Sequence, residues 1–383
     1  MSIKCFFAII YTTVLTISAL HMPQPLLPVI GNFFGKSMDT VSLIMSATFI
    51  PLTFIPIISS FILNFFSPKK VVIFCATIHS LVVFLMSITN NIFFIIFLRF
   101  IEGFLISAIL TSNTTYISLV SKLDKIQFFM SYYIAFTITG GLLGRLIGSA
   151  IANFFGWKTC FQIMSVSLLL VLPIVSFMME NVKLPKSYDT KIFTMKIIKK
   201  VLSRKINYLI FLSVFSIFFV FSGVTNFLPF RIKSLNPQSG ELIIGIIYSG
   251  YITGIFTSFV ATKIVKLVKS EKKALLLGSL TYGLFLSLFI TPSIPIIFMV
   301  MFGFCAGMFL VHSVASGYLN KLATEQKNLI NGLYISFYYA GGVLGSYIPG
   351  VIYKNFGWLV FLIFLMFFIA FTILHLSKLP NHL

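Results

Sequence analysis

The sequence predicts an all-α membrane protein of about twelve transmembrane helices, arranged as two pseudo-symmetric six-helix bundles. Three observations carry this prediction. The composition is too apolar for water, the apolar runs have bilayer-spanning length, and one half of the chain maps onto the other at an offset of 201 residues.

Of the 383 residues, 58% are hydrophobic and 9% charged, against roughly 25% charged in a soluble protein. A water-soluble domain of this composition would expose an apolar surface too large to stay dispersed. The net charge of +20 does not describe a nucleic-acid-binding face. The basic residues form short clusters between long apolar runs, which is what the positive-inside rule produces in a membrane protein. Cys5, Cys75, Cys160 and Cys305 are far apart in sequence and form no Cys-x-x-Cys or Cys/His metal spacing. They read as small apolar packing residues, with no metal site and no cofactor expected. No Walker A motif occurs, so ATP hydrolysis within this chain is not expected.

A spanning helix needs about 20 mostly apolar residues. Such runs lie at 5–30, 41–63, 71–89, 92–115, 129–151, 159–180, 206–230, 242–262, 274–291, 295–318, 329–352 and 358–377. The first run has some features of a signal peptide, with Lys4 ahead of an apolar stretch. It continues to Ile30 without a clear cleavage site and so reads as a span. Of the 28 basic residues, Arg99 and Arg145 lie inside spans, five lie in the loops on one side, and 21 lie in the termini and loops on the other. That asymmetry predicts that both termini are cytoplasmic.

Domain boundaries follow from the longest polar stretch. Residues 1–180 form one predicted bundle, 206–383 the other, and 181–205 a basic, partly helical cytoplasmic linker with eight Lys and Arg. Two readings of the linker stand: a solvated tether that fixes topology, or a segment touching anionic lipid head groups. The repeat is clearest in spans five and eleven. Gly140-Gly141-Leu142-Leu143-Gly144 falls on Gly341-Gly342-Val343-Leu344-Gly345, and Phe155-Gly156-Trp157 on Phe356-Gly357-Trp358. Both Trp residues are placed as aromatic-belt residues at the outer interface. Two parallel halves related by an axis along the membrane normal are a transporter pattern.

Polar residues inside the apolar runs mark where chemistry is possible. The first span ends in His21-Met22-Pro23-Gln24-Pro25-Leu26-Leu27-Pro28. Three prolines in six residues remove helix donors, which a membrane tolerates only where protein or a water-lined cavity satisfies the backbone. This is either a kinked helix end or a mobile gate that presents Gln24 to a cavity. In the fourth span, Arg99 and Glu102 are three residues apart and share a helix face. Glu102 is the one acidic residue well inside a span. In the fifth, Gly140, Gly144 and Gly148 form a small-residue stripe for close helix approach, interrupted by Arg145. The predicted topology places Arg99, Glu102 and Arg145 in the outer half of the bilayer. An ionisable residue there is a functional candidate by default, the alternative being a structural ion pair with an Arg reaching the head groups. His21, His79 and His312 also lie in spans. A lone membrane histidine is more often a packing hydrogen-bond partner, and His21, beside the prolines, is the exception singled out.

These residues resemble the major facilitator superfamily, and within it the twelve-span arabinose-efflux-permease and drug:proton antiporter group. The Gln24-Pro25-Leu26-Leu27-Pro28 start, the Arg99-x-x-Glu102-Gly103 element and the Gly-rich fifth and eleventh spans carry the resemblance. The family's fifth-helix motif, Gly-x-x-x-Gly-Pro-x-x-Gly-Gly, is matched by Gly140, Gly144 and Gly148, with Arg145 in place of Pro and Ser149 in place of the last Gly. In the loop after the second span, Asn64 stands where the family has Asp, and Lys69, with Lys70 beside it, keeps the basic end of the motif. The fourth-helix motif often has Gln where this chain has Glu102, a carboxylate able to bind a proton.

The resemblance implies a secondary transporter working by alternating access, with proton-coupled export of a small organic solute as the leading reading. The expected partners are the solute, protons and the lipid bilayer, with no nucleic acid. The expected form is a monomer in a bacterial inner membrane. Proton-coupling candidates are Glu102, Arg99, Arg145 and His21. Cavity or gate candidates are Gln24, Pro25, Pro28, Gly140, Gly144, Gly148, Gly341 and Gly345. Asn64, Lys69 and Lys70 form the cytoplasmic loop motif. Solute uptake or facilitated diffusion without protons is the alternative within transport. A membrane-embedded lipid enzyme, or a membrane protein that transports nothing, is the alternative outside it.

Overall fold

Proline, glycine and capping side chains set where the helices begin and end. The computed structural model describes residues 1–122, 125–182, 195–322 and 327–380, with the side chains of 55–65, 127, 195 and 327–328 outside that description. α1 (Ile3–His21) stops at the proline cluster, a 3-10 turn covers Gln24–Leu26, and α2 (Leu27–Phe34) resumes and ends on Gly35 at φ 59°. α3 (Met38–Phe65), α4 (Pro68–Ile88), α5 (Ile92–Val120), α6 (Ile126–Phe155), α7 (Trp157–Leu169) and α8 (Val171–Met178) follow. Asn91 caps α5 by accepting from the amides of Phe93 and Phe94, as a short polar side chain does at a helix start. After α9 (Met195–Leu202) come α10 (Lys205–Leu235), α11 (Glu241–Ile247), α12 (Tyr251–Val268), α13 (Glu271–Leu288), α14 (Ile294–Leu322), α15 (Lys327–Gly345) and α16 (Ile348–Ser377).

Among the described residues, nine segments are long and apolar enough to cross a bilayer, and Met38–Phe54 is a shorter apolar helix. One of the nine, Leu329–Ser377, runs for 49 residues and contains the end of α15 and a non-helical Gly357 within α16. α13 opens on Glu271, Lys272 and Lys273 and is apolar beyond them. The surfaces are inverted relative to a soluble protein. Leu277, Leu280, Leu284 and Leu288 lie exposed along one stripe of α13, as do Phe93, Phe97 and Phe104 on α5. Polar side chains are buried instead, as a lipid solvent requires.

The chain forms two units. The first holds Met1–Gly35 and Ala47–Lys191, and the second Lys36–Ser46 and Ile192–Leu383. In the second, Lys354 Nζ lies 3.1 Å and 3.3 Å from the carboxylate oxygens of Asp39, and the Ser46 hydroxyl donates to the Val343 carbonyl at 3.0 Å. Burial alone would raise the Asp39 carboxyl, but bonds from the Ser37 hydroxyl and the Lys354 ammonium hold it below its ordinary value. The contribution of this pair is therefore present above the ordinary carboxylate range and is lost as pH falls through the lowered value.

Each unit carries the same helix contact at the 201-residue offset. A Cβ at Gly140 or Gly144 of α6 would run into the backbone carbonyls of Val14 and Ser18 on α1. A Cβ at Gly341 or Gly345 of α15 would run into those of Phe215 and Phe219 on α10. Both partners of each contact shift by 201, so the register of a helix pair is repeated and not merely a motif. Gly156 and Gly357, also 201 apart, have matching φ of 84° and 81° and let the chain turn into Trp157 and Trp358. Both indoles are buried. Trp157 packs against Phe33 and Phe161, and Trp358 donates to the Phe289 carbonyl at 2.8 Å. The belt position expected for them is therefore corrected to a packing role, because each ring finds aromatic neighbours and, at Trp358, a carbonyl for its N–H.

A test of the shared register follows. Gly144→Ala and Gly345→Ala are each expected to cost about 1–3 kcal/mol through overpacking against backbone. Gly148→Ala should cost less, because its nearest obstacle is the flexible Met22 side chain. Thermal unfolding of the purified variants in detergent would check this, with the two carbonyl-facing glycines grouping together and Gly148 apart.

Candidate functional site

The break in α1 organises a buried polar cluster in the first unit. Pro23 has no N–H for the carbonyl of Ala19, which a continuous helix would have satisfied. Arg99 on α5 supplies the missing donors, with Nη1 3.3 Å from the Ala19 carbonyl and Nη2 2.7 Å from that of Leu20. Nη1 also reaches Glu102 Oε2 at 2.5 Å. Glu102 Oε1 lies 2.9 Å from Nε2 of His79 on α4. Arg99, Glu102 and His79 are all at most 1% exposed. Both carboxylate oxygens are thus engaged, and the guanidinium is held by one anion and two carbonyls. Such a buried pair survives only where bonds to both partners repay the loss of water.

Arg145 on α6 reaches the same helix break from another side. Its Nε donates to Gln24 Oε1 at 2.7 Å, and Nη1 to the carbonyl of Gly141, one turn back on its own helix, at 2.7 Å. Nη2 lies 3.0 Å from His21 Nδ1. Arginine has no acceptor, so His21 Nδ1 receives this bond and its Nε2 carries the proton. Gly141 makes room: a Cβ there would come within 3.3 Å of Arg145 Nη1.

The structure therefore gathers four predicted coupling residues, Arg99, Glu102, Arg145 and His21, around residues 19–24 of one chain segment. Gln24 belongs to the same set, and Pro25 and Pro28 are buried in the break. Gly140, Gly144 and Gly148 line the side of α6 facing α1 and Met22, whereas Gly341 and Gly345 make the corresponding contact in the second unit. Lys69 lies elsewhere: its ammonium donates to the carbonyls of Ser176 and Met179 at the end of α8, at 2.7 Å each, where a cation complements the helix C-terminus. Lys70 is exposed, and the Asn64 side chain lies outside the described residues. His312 pairs with the Tyr334 hydroxyl at 2.9 Å, a packing bond of the kind expected for it.

His79 is the residue that sequence reasoning left out of this site. The signal was available in the turn at Thr89–Asn91. In an antiparallel helix pair, residues equally far from the turn lie at equal depth. Residues 79 and 102 are equally far from the point between Asn90 and Asn91. Among the described residues, the second unit shows no buried charged counterpart. At the offset of the α6 and α15 repeat, His21, Gln24 and Arg145 become Ser222, Thr225 and Ser346, and α14 carries no charge before Lys321.

A family model described as Major Facilitator Superfamily matches residues 9–311 and 238–382. This chain belongs to the Major Facilitator Superfamily. It is accordingly a secondary transporter of small solutes with a multi-span membrane fold. It is 25% identical over 370 residues to an uncharacterized transporter of Buchnera aphidicola subsp. Schizaphis graminum, covering 95% of this chain and 88% of that one. It is 23% identical over 349 residues to the inner membrane transport protein YnfM of Escherichia coli, covering 90% and 82%. Its fold matches the nucleoside transporter NupG (D323A mutant) at a TM-score of 0.78 and 11% identity, covering 97% of this transporter and 98% of that structure. It also matches a bacterial homolog of the human lysosomal transporter Spinster, in an inward-facing unoccupied conformation, at 0.77 and 13% identity, covering 97% and 94%.

Proposed function

We propose that this transporter exports a small organic solute in exchange for protons, and that protons enter and leave the Arg99–Glu102–His79 cluster as the transporter alternates between its two faces. In this reading it crosses a bacterial inner membrane twelve times. Residues 1–180 and 206–383 form the halves, 181–205 the cytoplasmic linker, and both termini are cytoplasmic. It acts as a monomer. The three crossings beyond the nine long apolar segments are the α3 helix, α13 with its charged start, and the second half of the 49-residue run that ends α15 and contains α16.

The single observation that supports coupling is that, among the described residues, buried charge is confined to one unit. A fold with two repeated halves has no structural need for an ion pair and an extra arginine in only one of them. Intramembrane charge is costly and is kept where it moves ions or substrate. A carboxylate whose arginine partner is anchored to the broken end of α1 changes its surroundings whenever that end shifts, and its proton affinity changes with them.

The experiment is solute accumulation by proteoliposomes under an imposed pH gradient, across a panel of sugars, aromatic drugs and carboxylate metabolites. Accumulation of one class that collapses on adding a protonophore supports coupled transport. Flux that equilibrates the solute and ignores the gradient would replace this reading with facilitated diffusion.

A further inference from the structure

His79 has a second ring nitrogen that the cluster leaves unused. Its Nε2 faces Glu102 Oε1 at 2.9 Å, while its Nδ1 is buried with no hydrogen-bond partner. A polar atom in this state is rare in a folded protein and calls for an explanation. The ring is fully enclosed, and Glu102 presents only acceptor oxygens when ionised. Nε2 therefore carries a hydrogen, and Nδ1 is a bare lone pair whenever the ring is neutral.

The cluster can take up one proton at either of two places, and the net charge is the same both ways. The bonds decide between them. Protonating Glu102 places a hydrogen on an oxygen that already accepts from Arg99 or from His79. That oxygen becomes a weaker acceptor, and the Arg99 guanidinium is left in the interior without an anion. Protonating His79 at Nδ1 breaks no bond and adds a single N–H that has no acceptor among the described residues. It produces an ordered row in which the Glu102 carboxylate sits between two cations, each bonded to one of its oxygens. The charge-assisted bonds on both sides of the carboxylate strengthen.

We propose that Nδ1 of His79 is the seat of the coupled proton, with Glu102 remaining ionised as the counter-ion that Arg99 and His79 share. This rests on the proton-coupled reading above and names the atom within it. The step is a simple protonation. A proton from water adds to the Nδ1 lone pair to give the imidazolium, Nε2–H stays on Glu102, and the same proton later returns to water on the other side. His79 thereby becomes a coupling residue in a site whose sequence motif contains only Arg99 and Glu102.

Among the described residues of the helices that α4 packs against, the charged and titratable groups are few. α4 packs against α5, α7 and α8. From α5 the charged groups facing His79 are Arg99 and Glu102. α7 contributes Lys158, which is bonded to Asn90 Oδ1 at 3.1 Å near the surface, and the buried thiol of Cys160. α8 carries no titratable side chain. On α4 itself Lys69 and Lys70 lie at the far end, and Cys75 is one turn away.

The test is nitrogen-15 magnetic resonance of histidine-labelled full-length transporter in lipid nanodiscs across a pH series, with infrared difference spectra on the same samples. The chain has five histidines, and the His79 signals are assigned by their loss in His79→Gln. If that variant does not fold, they are assigned by their displacement in Glu102→Gln. The expected result is an Nε2–H signal at every pH and an Nδ1 that passes from bare to protonated on acidification. No carboxylic-acid band that Glu102→Gln removes should appear. A protonated Glu102 band with a neutral His79 would overturn the proposal, as would a His79 that stays neutral throughout. Either result leaves the proton-coupled reading to be judged separately, by solute-driven proton flux in proteoliposomes.

Discussion

Arg99→Leu is expected to destabilise the transporter by about 3–5 kcal/mol, the range for removing one partner of a buried ion pair. Glu102 would remain in the interior facing only His79, and the carbonyls of Ala19 and Leu20 would lose the donors that now close the broken end of α1. Thermal unfolding in detergent would register this as a large fall in midpoint and in monodisperse yield. The double variant Arg99→Leu with Glu102→Leu removes both charges and is expected to recover part of the stability while moving no protons. Recovery separates a charge-balance defect from a simple packing defect. If the double variant is as unstable as the single, the carbonyl contacts outweigh the ion pair.

Glu102→Gln addresses function with little change of shape. The amide still accepts from Arg99, but the negative charge that balances a proton in the cluster is gone. A pH gradient of one unit supplies about 1.4 kcal/mol per proton, a factor of ~10 in solute ratio for one-for-one exchange. The parent is expected to approach that ratio, and Glu102→Gln to fall to about one-to-one while downhill exchange continues. Parental accumulation in this variant would reduce Glu102 to a structural partner of Arg99.

Much of the site was legible in the sequence because charge stands out against an apolar run. Arg99, Glu102 and Arg145 needed no structure to be singled out, and the prolines beside Gln24 marked where a helix had to break. What held them together was less visible. Pro23 frees the Ala19 carbonyl, but only the rotation of α5 about its axis determines that Arg99 fills it. His79 sat at the right depth opposite Glu102, yet depth alone does not say which side of α4 a ring occupies. The glycine stripe predicted close approach without naming the partner, and the matching contacts Gly144 with Ser18 and Gly345 with Phe219 came from the fold. The Trp residues were correctly paired by the repeat but misplaced in environment, since an interfacial sequence position does not distinguish a ring facing lipid from one folded inward. The limit on reading spans was physical as well. Three charges at the start of α13, and a turn at Gly357 marked only by Lys354 and Asn355, blur boundaries that length and hydropathy alone would set.

Proton movement driven by solute is the most direct measurement of the central claim. Purified transporter is reconstituted with a pH-reporting dye inside the vesicles, at equal pH on both sides, and a transported solute is added outside. The parent protein is expected to change the internal pH on solute addition, with the change abolished by a protonophore and absent in Glu102→Gln. Solute entry without any change of internal pH in the parent, or an undiminished change in Glu102→Gln, would contradict coupling through the Arg99–Glu102–His79 cluster.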